Sequence, residues 1–237
     1  MPLLDTFIVQ KRIWSDYHGR EYSTELKFKK SSVKAAESFR ISLPQASTMT
    51  QYSQMYSGLI QSGESANSFK YIYQNLDSIR VNRQLNRSEF AEMVICLVQD
   101  IQYVLILTRA CDQNQYADLF VKEYLSQGKP CADYVKHGLY APEEFLSNLQ
   151  GDCDTRTVTL FKILSHYNYD VRIYNSEKLG HSILGLNLGS LDGTKFVSNG
   201  KPYLICETTV YGSPPGGYNP YAKDQNMWET ALYNHYD

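Results

Sequence analysis

The segment from residue 153 to residue 209 constrains the fold most, because an amphipathic helix is followed there by three short strand-like runs. Apolar side chains recur at helical spacing from residue 153 to about residue 167. The strand-like runs cover residues 171–174, 181–188 and 203–209, and turns containing Asn, Asp and Gly separate them. Strands that follow one another without a helix between them pair antiparallel. The sequence therefore predicts an α+β fold in which this helix packs on an antiparallel sheet.

Further helices are predicted upstream of this segment. Ser88 is a favourable N-cap for a helix whose apolar positions continue from Phe90 to about Leu105. Residues 46–86 also carry aromatic and apolar side chains at helical spacing. Pro142 can open a short helix that continues through residue 149. The predicted order is a run of helices, and then the helix and strands described above.

The two ends of the chain have different patterns. Residues 7–43 have a β-rich pattern, with a hairpin around the turn-like residues 16–19. The tail from residue 214 contains Pro and Gly pairs and is predicted to be loop. We therefore divide the chain into residues 1–86, a hairpin and helical region of accessory character, and residues 87–237, which carry the candidate chemistry.

The composition excludes two classes of partner. The formal net charge is −2 and no run of Lys or Arg occurs, so a nucleic-acid partner is not expected. No segment approaches the roughly 18–20 consecutive apolar residues of a membrane span. Since the N-terminus lacks a basic and then apolar leader, we expect either a cytoplasmic protein or the soluble part of a longer anchored chain.

The cysteines and histidines do not form a metal-binding pattern. None of the five cysteines belongs to a CxxC pair, and no His, Asp and Glu spacing resembles a metal site. No glycine-rich phosphate loop occurs either, so no cofactor is predicted. Cys96 and Cys206 lie in apolar runs and are expected in the core. Cys111 and Cys131 flank loop-like sequence and can pair in an oxidising compartment, which leaves Cys153.

Cys153 stands at the first turn of the predicted helix, just after Gly151 and Asp152. Unpaired N–H groups and the positive end of the helix dipole face this position. Both favour the thiolate, so the pKa of Cys153 is expected to fall below about 8.5, and the same N–H groups can stabilise an oxyanion. Asp152 and Asp154 are expected to cap the helix and to face solvent.

A cysteine nucleophile needs a base, and the base needs a group that orients it. His181 follows Gly180 and heads an apolar strand, where it can reach the active-site end of a sheet. Glu207 closes the run that begins at Tyr203, on what should be the neighbouring antiparallel strand. A carboxylate there can accept the imidazole N–H and fix its tautomer.

Three motifs stand in order along the chain: GDCD at residues 151–154, GH at 180–181 and YLICETT at 203–209. Together they resemble the transglutaminase-like cysteine enzymes of bacteria and archaea, which have a GxC helix start, a GH strand and a Y-x-x-x-(D/E)-x-T strand. The segments VQDIQY at 98–103 and YGSPPG at 211–216 are similar to the neighbouring parts of such proteins.

The resemblance covers about residues 88–220 and implies a papain-like fold. It implies that Cys153 is the nucleophile, His181 the general base and acid, and Glu207 the orienting carboxylate. Gln99, Tyr103 and Asp152 are candidates for the oxyanion site or the cleft. The chain departs from the family in two places, since many members have aspartate at the position of Glu207, and residues 155–156 are Thr-Arg where an acidic and a small residue are common.

The resulting functional prediction is a cysteine protease or amidase that acts on a peptide or protein substrate through a thioester acyl-enzyme. One alternative is a transglutaminase, in which an amine replaces water as the acyl acceptor. Another is a domain that keeps the fold without turnover and binds peptide or glycan through its surface, which the 20 tyrosines favour. Enhanced thiol reactivity at Cys153 distinguishes an enzyme from an inert domain.

Overall fold

The computed structural model describes residues 5–65, 67–189, 192–217 and 219–234. The protein has an α+β fold, as predicted. Within these ranges no helix combines the length and the apolar character needed to cross a membrane. The helices and strands are β1 (Phe7–Ser15), β2 (Glu21–Lys29), α1 (Lys30–Ser42), α2 (Met49–Ser65), α3 (Lys70–Asn82), α4 (Arg87–Gln99), β3 (Leu105–Ile106), α5 (Leu119–Ser126), β4 (Cys131–Ala132), α6 (Pro142–Asn148), α7 (Cys153–His166), β5 (Asp170–Ser176), β6 (His181–Asn187), β7 (Lys195–Ser198), β8 (Lys201–Cys206) and β9 (Glu229–Tyr233).

The largest sheet has five strands in the order β7-β8-β6-β5-β9. Each neighbouring pair is antiparallel, and β6 lies between β5 and β8. Helix α7 packs against β5 and β6 and is buried from Cys153 to Leu164 except at Asp154, with apolar side chains such as Val158, Leu160 and Ile163 in the core. The predicted helix on an antiparallel sheet is therefore confirmed, and the predicted start of that helix at Cys153 is correct.

The N-terminal hairpin of β1 and β2 is also confirmed, with Trp14 paired to Tyr22 across it. The carboxylate of Asp16 closes its turn by accepting the N–H groups of His18 and Arg20, each at 2.9 Å. The β-rich prediction is wrong beyond Lys29, where α1 begins. Helix α1 buries only an alanine and Arg40, whose guanidinium pairs with a carboxylate of α6, so apolar periodicity could not reveal the helix.

Helix α4 begins and ends earlier than predicted. Its N-cap is Asn86, not Ser88, because the Asn86 side chain accepts the N–H of Glu89 while the Glu89 carboxylate accepts the N–H of Asn86. The helix ends at Gln99, and the apolar residues that follow it are buried outside the helix. Leu105 belongs instead to β3, which pairs in parallel with β4.

Two strands of the five-stranded sheet, β7 and β9, were not predicted, and neither were the two-residue strands β3 and β4. Strand β9 lies in the tail that was expected to be loop, and it forms an edge of the sheet beside β5. It has five residues, and Ala231 is its fully buried member, so neither its length nor its apolar pattern distinguishes it from loop.

The main apolar core contains residues from both predicted parts of the chain. Trp14, Phe28 and Leu59 from the N-terminal part belong to the same cluster as Phe145 and Ile163. The division at residue 86 stays a prediction, and the shared core means that each part covers apolar surface of the other.

The cysteines fall into two groups. Cys111 and Cys131 form a disulfide with their Cα atoms 6.1 Å apart, which ties the segment after β3 to β4. Cys96 and Cys206 are free and buried, which confirms their predicted place in the core. Cys153 is the third free cysteine within the described ranges.

Candidate active site

The start of α7 fixes the position of Cys153. Asp152 is the N-cap, and its Oδ1 accepts the N–H of Thr155 at 3.2 Å. A Cβ atom at residue 151 would lie 2.6 Å from the ring of Phe145, so only glycine fits there without a shift of the packed ring. Cys153 is 8% exposed, so it lies just beneath the protein surface.

His181 and Glu207 come together as the sequence predicted. Gly180 adopts a left-handed φ of +56°, which turns the chain so that His181 begins β6. Strand β8 ends at Cys206, and Glu207 follows directly, beside β6 in the antiparallel sheet. His181 Nε2 lies 3.0 Å from Glu207 Oε2, which is hydrogen-bonding distance.

The carboxylate of Glu207 is held by more than the histidine. Its Oε1 accepts the N–H of Thr209 at 3.0 Å and the Thr209 hydroxyl at 2.7 Å, while Asn219 Nδ2 donates to Oε2 at 3.2 Å. Burial alone would raise the pKa of Glu207, but His181 and Thr209 outweigh it and lower the pKa to about 2. Glu207 is therefore ionised at neutral pH and can hold the imidazole in one orientation.

Thr209 and Asn219 were not predicted to have these roles. Thr209 lies two residues after the acid in the motif, so its position was visible, but nothing in the sequence indicates that it bonds to the carboxylate. Asn219 approaches through the loop before β9. The indole of Trp228 also lies near His181, with ring centroids 6.1 Å apart.

The thiol of Cys153 lies next to the start of β6. The backbone amide of Ser182 hydrogen-bonds to Cys153 and favours its ionised form. Ser182 directly follows His181, so the nucleophile and the imidazole lie at the same end of β6. Since Nε2 of His181 contacts Glu207, Nδ1 is the ring nitrogen that a proton transfer from Cys153 would use.

The predicted fall in the pKa of Cys153 is wrong for the protein without substrate. Burial raises the pKa of this thiol well above its usual value, and the charges of Asp154 and Asp152 raise it further. The expected placement of Asp152 in solvent is also wrong, because this N-cap is only 5% exposed. Burial of the thiol therefore outweighs the effect of the helix dipole, and the resting nucleophile is a neutral thiol.

Asp152 and Asp154 affect each other as well as Cys153. Burial and the charge of Asp154 raise the pKa of Asp152 to about 8. Burial also raises the pKa of Asp154, although the hydroxyl of Tyr56, which donates to Asp154 Oδ1 at 2.9 Å, works in the opposite direction. At neutral pH the two carboxyl groups together carry less than their full two negative charges.

A cleft of about 520 Å³ opens beside His181 and Asp154. Residues 47–49 and Tyr52, which were predicted to belong to the accessory region, form one wall of it. The ends of β5 and β9 form another. The side chains with carboxylates are Asp154, Glu177 and Glu229, and no Lys or Arg occurs among the described residues that line the cleft. The lining is Ser47, Thr48, Met49, Tyr52, Asp154, Asn175, Ser176, Glu177, Gly180, His181 and Glu229.

Gln99 lies behind Glu207 and not in the cleft lining. Its amide nitrogen donates to the carbonyl oxygens of Glu207 at 2.7 Å and Ser213 at 2.8 Å. Its Oε1 accepts the hydroxyl of Tyr17 at 3.1 Å. Both amide hydrogens are therefore engaged in holding the segment that carries Glu207, and oxyanion donation would require one of these bonds to break.

Tyr103 lies between the nucleophile and α5. It forms an isolated parallel bridge with Gly151, and its ring contacts Tyr124 edge-on with centroids 5.8 Å apart. Burial, followed by the charge of Cys153, raises the pKa of Tyr103, so its hydroxyl keeps its proton and stays a hydrogen-bond donor. Its role at the oxyanion site stays a prediction.

The residues in the described ranges contain no group of three or more His, Cys, Asp or Glu side chains placed to hold a metal ion.

No family model, no curated protein and no solved structure matches this chain. The functional assignment therefore depends on the arrangement of Cys153, His181 and Glu207 and on the cleft beside them.

Proposed function

We propose that this protein is a cysteine-dependent hydrolase that cleaves an amide or peptide bond through a thioester acyl-enzyme. The observation that carries the proposal is the 3.0 Å contact between His181 and Glu207, at the end of β6 where the Ser182 amide contacts Cys153. A nucleophile, a base and a carboxylate that orients the base are the parts that such a reaction requires.

The first half of the reaction forms the thioester. With a substrate carbonyl in the cleft, His181 Nδ1 takes the thiol proton of Cys153 while the sulfur attacks the carbonyl carbon. The main-chain N–H of Cys153 lies at the start of α7, where a helix has no internal acceptor for it, and it can donate to the developing oxyanion. The imidazolium then protonates the leaving amine, and the carbon–nitrogen bond breaks.

The second half restores the enzyme. His181 Nδ1 takes a proton from water as the water oxygen attacks the thioester carbonyl. Collapse of this intermediate breaks the carbon–sulfur bond, returns the proton to Cys153 and releases the acid. Because the pKa of Cys153 is raised, removal of the thiol proton and attack are coupled, and no preformed thiolate is required.

The resemblance to the transglutaminase-like cysteine enzymes supports this proposal and is part of it. Two motif residues of that resemblance, His181 and Glu207, are in contact, and the third, Cys153, lies beside Ser182, the residue that follows His181. The antiparallel sheet with α7 packed on it is the arrangement that the resemblance implies for this part of the chain.

The acidic cleft favours a second candidate function, which is transfer of the acyl group to a primary amine. Three carboxylates line the cleft without a balancing Lys or Arg among its described residues. Such a cleft concentrates cations, and a primary amine is an ammonium at neutral pH. The ammonium would first release one proton to solvent, and the amine would then replace water in the second half of the reaction, with His181 accepting a second proton and returning it to Cys153 as the carbon–sulfur bond breaks.

Both candidates are tested by incubating the wild type and Cys153→Ala with a mixture of unstructured peptides and a fluorescent primary amine. Mass spectrometry then identifies cleaved, deamidated and amine-linked peptides. Cleaved or deamidated products that require Cys153 support the hydrolase, and amine-linked products support acyl transfer. If the wild type and Cys153→Ala give identical peptide mixtures and no thioester on Cys153 is trapped at acid pH, the enzymatic proposal fails and a binding domain is the better account.

A further inference from the structure

Arg156 is a buried cation one turn after the nucleophile. It is 0% exposed and belongs to the most buried large side chains of the protein. No carboxylate forms an ion pair with it in the part of the chain that the structure describes. A guanidinium in the core costs free energy unless its hydrogen bonds are satisfied, so its partners indicate what it does.

The partners of Arg156 are main-chain carbonyl oxygens from three separate segments. Its Nε donates to the oxygen of Gly151 at 2.9 Å, next to the helix start that carries the nucleophile. Its Nη1 donates to the oxygen of Val98 at 3.0 Å and to that of Thr208 at 3.2 Å, and its Nη2 donates to the oxygen of Ile101. Thr208 directly follows the candidate acid, so one side chain joins the acid's segment to the loop before the nucleophile.

Aromatic rings shield this junction from water. The ring centroid of Tyr103 lies 5.6 Å from the guanidinium carbon of Arg156, and that of Phe145 lies 6.0 Å from it. The ring of Phe145 also packs against Gly151, and the backbone of Tyr103 forms a bridge with the same glycine. A charge in such surroundings acts more strongly on its neighbours than it would in water.

The positive charge of Arg156 interacts with groups of the candidate site. Burial lowers the pKa of Arg156 to about 10, while Tyr103, Asp152, Cys153 and Glu207 act in the opposite direction, so the side chain stays charged at neutral pH. The attraction is mutual, and the positive charge opposes the unfavourable effect of Asp152 on the ionisation of Cys153.

We propose that Arg156 is a positioning residue of the candidate site, which holds the segment of Glu207 against the loop before Cys153 and whose charge favours ionisation of the thiol. The proposal rests on the proposed function and adds to it a residue that lies outside the cleft lining.

The test uses the full chain with Arg156→Gln, which removes the charge, and Arg156→Lys, which keeps the charge but cannot bridge the same carbonyl oxygens. The control is Glu143→Gln with Lys162→Met, which removes a buried ion pair between α6 and α7. Lys162 is as buried as Arg156 but bonds to α2 and α6, away from the site. Thermal unfolding of each variant reports the loss of stability that any buried change produces.

The first measurement is the rate of Cys153 alkylation by iodoacetamide as a function of pH. We expect the midpoint of this rate–pH curve to rise by about one pH unit in Arg156→Gln. At a fixed pH below the midpoint, the alkylation of Cys153 would then be about tenfold slower. Arg156→Lys and the control pair should keep the wild-type midpoint. An unchanged midpoint in Arg156→Gln, or a midpoint in Arg156→Lys that rises as far as in Arg156→Gln, would overturn the role of the charge.

The second measurement is hydrogen exchange of the peptide that covers residues 207–209, and it decides the positioning role even if Arg156→Gln does not fold. In Arg156→Lys the backbone amides of this peptide should exchange about tenfold faster than in the Glu143→Gln, Lys162→Met control, compared under conditions in which the two variants are equally stable. Equal exchange in the two proteins would overturn the positioning role. A wild-type Cys153 that does not react with iodoacetamide would instead contradict the proposed function. A reactive Cys153 whose alkylation and whose neighbouring hydrogen exchange do not change in the Arg156 variants would contradict this inference alone.

Discussion

The hydroxyl of Tyr56 donates to Oδ1 of Asp154 at 2.9 Å, which links helix α2 to the residue that follows the candidate nucleophile. Asn175 of β5 donates in turn to the Tyr56 hydroxyl at 2.9 Å. Residues 47–49 and Tyr52, just before and within α2, line the cleft as well. The N-terminal part of the chain therefore shapes the surroundings of Cys153, although its motifs indicated no such role.

Removal of this hydroxyl should make Cys153 more reactive. The Tyr56 hydrogen bond favours ionised Asp154, so Tyr56→Phe should raise the pKa of Asp154 further and reduce the negative charge near the sulfur. We expect faster alkylation of Cys153 at pH 7, with a loss of stability of about 1 kcal/mol. Tyr52→Phe is the control, since Tyr52 lies on the same helix and lines the same cleft. Equal rates in the two variants would contradict the account.

Replacement of the orienting acid should lower activity strongly. Glu207→Gln keeps the shape of the side chain but loses the charge that fixes the imidazole tautomer, so we expect kcat to fall by about 10²–10⁴-fold. Thr209→Val removes a single donor to the carboxylate and should cost about tenfold or less. Peptide hydrolysis followed by mass spectrometry measures both. A Glu207→Gln variant as active as Thr209→Val would show that the carboxylate does not orient the base.

Ionised Glu207 should also stabilise the fold, and this contribution to the free energy of unfolding should be lost at acid pH. Its pKa in the fold is about 2, below the ordinary value of 4.5. The contribution is therefore present above pH 4.5 and is lost as the pH falls toward 2, with a size of at most about 3 kcal/mol. The difference in unfolding free energy between wild type and Glu207→Gln should shrink as the pH falls from 5 to 2. A difference that stays constant over this range would contradict the lowered pKa.

Asp152 should have the opposite effect on stability. Its pKa in the fold is about 8, above the ordinary value of 3.8, so the fold favours the protonated form and loses stability as the pH rises from about 4 to 8. Asp152→Asn keeps a capping oxygen and cannot ionise, so its stability relative to wild type should increase over this interval. Asp118→Asn, the same change at the exposed N-cap of α5, is the control and should show no such trend.

The disulfide should stabilise the segment between β3 and β4. Cys111 and Cys131 are 20 residues apart, and closure of a loop of this length contributes about 3 kcal/mol in the chain-entropy treatment. The double variant Cys111→Ser, Cys131→Ser should unfold at lower denaturant concentration by a corresponding amount. Reducing agent should produce the same shift in wild type and none in the double variant. An unchanged midpoint after reduction would show that the bridge does not contribute.

Much of the candidate site followed from local sequence. Gly151 and Asp152 mark a helix start, and Gly180 marks a turn before a strand, so the positions of Cys153 and His181 could be predicted from capping and turn chemistry. The contact of His181 with Glu207 required one further assumption, that the strand ending near Glu207 is the antiparallel neighbour of β6, and this pairing is confirmed.

Other features depend on contacts that sequence does not display. Helix α1 was missed because one of its two buried side chains is Arg40, which pairs with a carboxylate, so the helix has no apolar pattern that sequence could show. Asn219 reaches Glu207 from a loop that has no pattern of its own. The pKa of Cys153 was predicted in the wrong direction because helix position was visible, whereas the depth of burial of Asp152 was not.

The most direct test of the central claim is the alkylation rate of each free cysteine by iodoacetamide from pH 5 to 9, compared between wild type and His181→Ala by peptide mass spectrometry. Cys96 and Cys206 are buried controls within the same molecule. The account predicts that Cys153 reacts fastest and slows about tenfold or more at pH 7 when His181 is removed, because the imidazole takes the thiol proton. A Cys153 that reacts at the same rate in both proteins, or as slowly as Cys96, would contradict a catalytic thiol–imidazole pair.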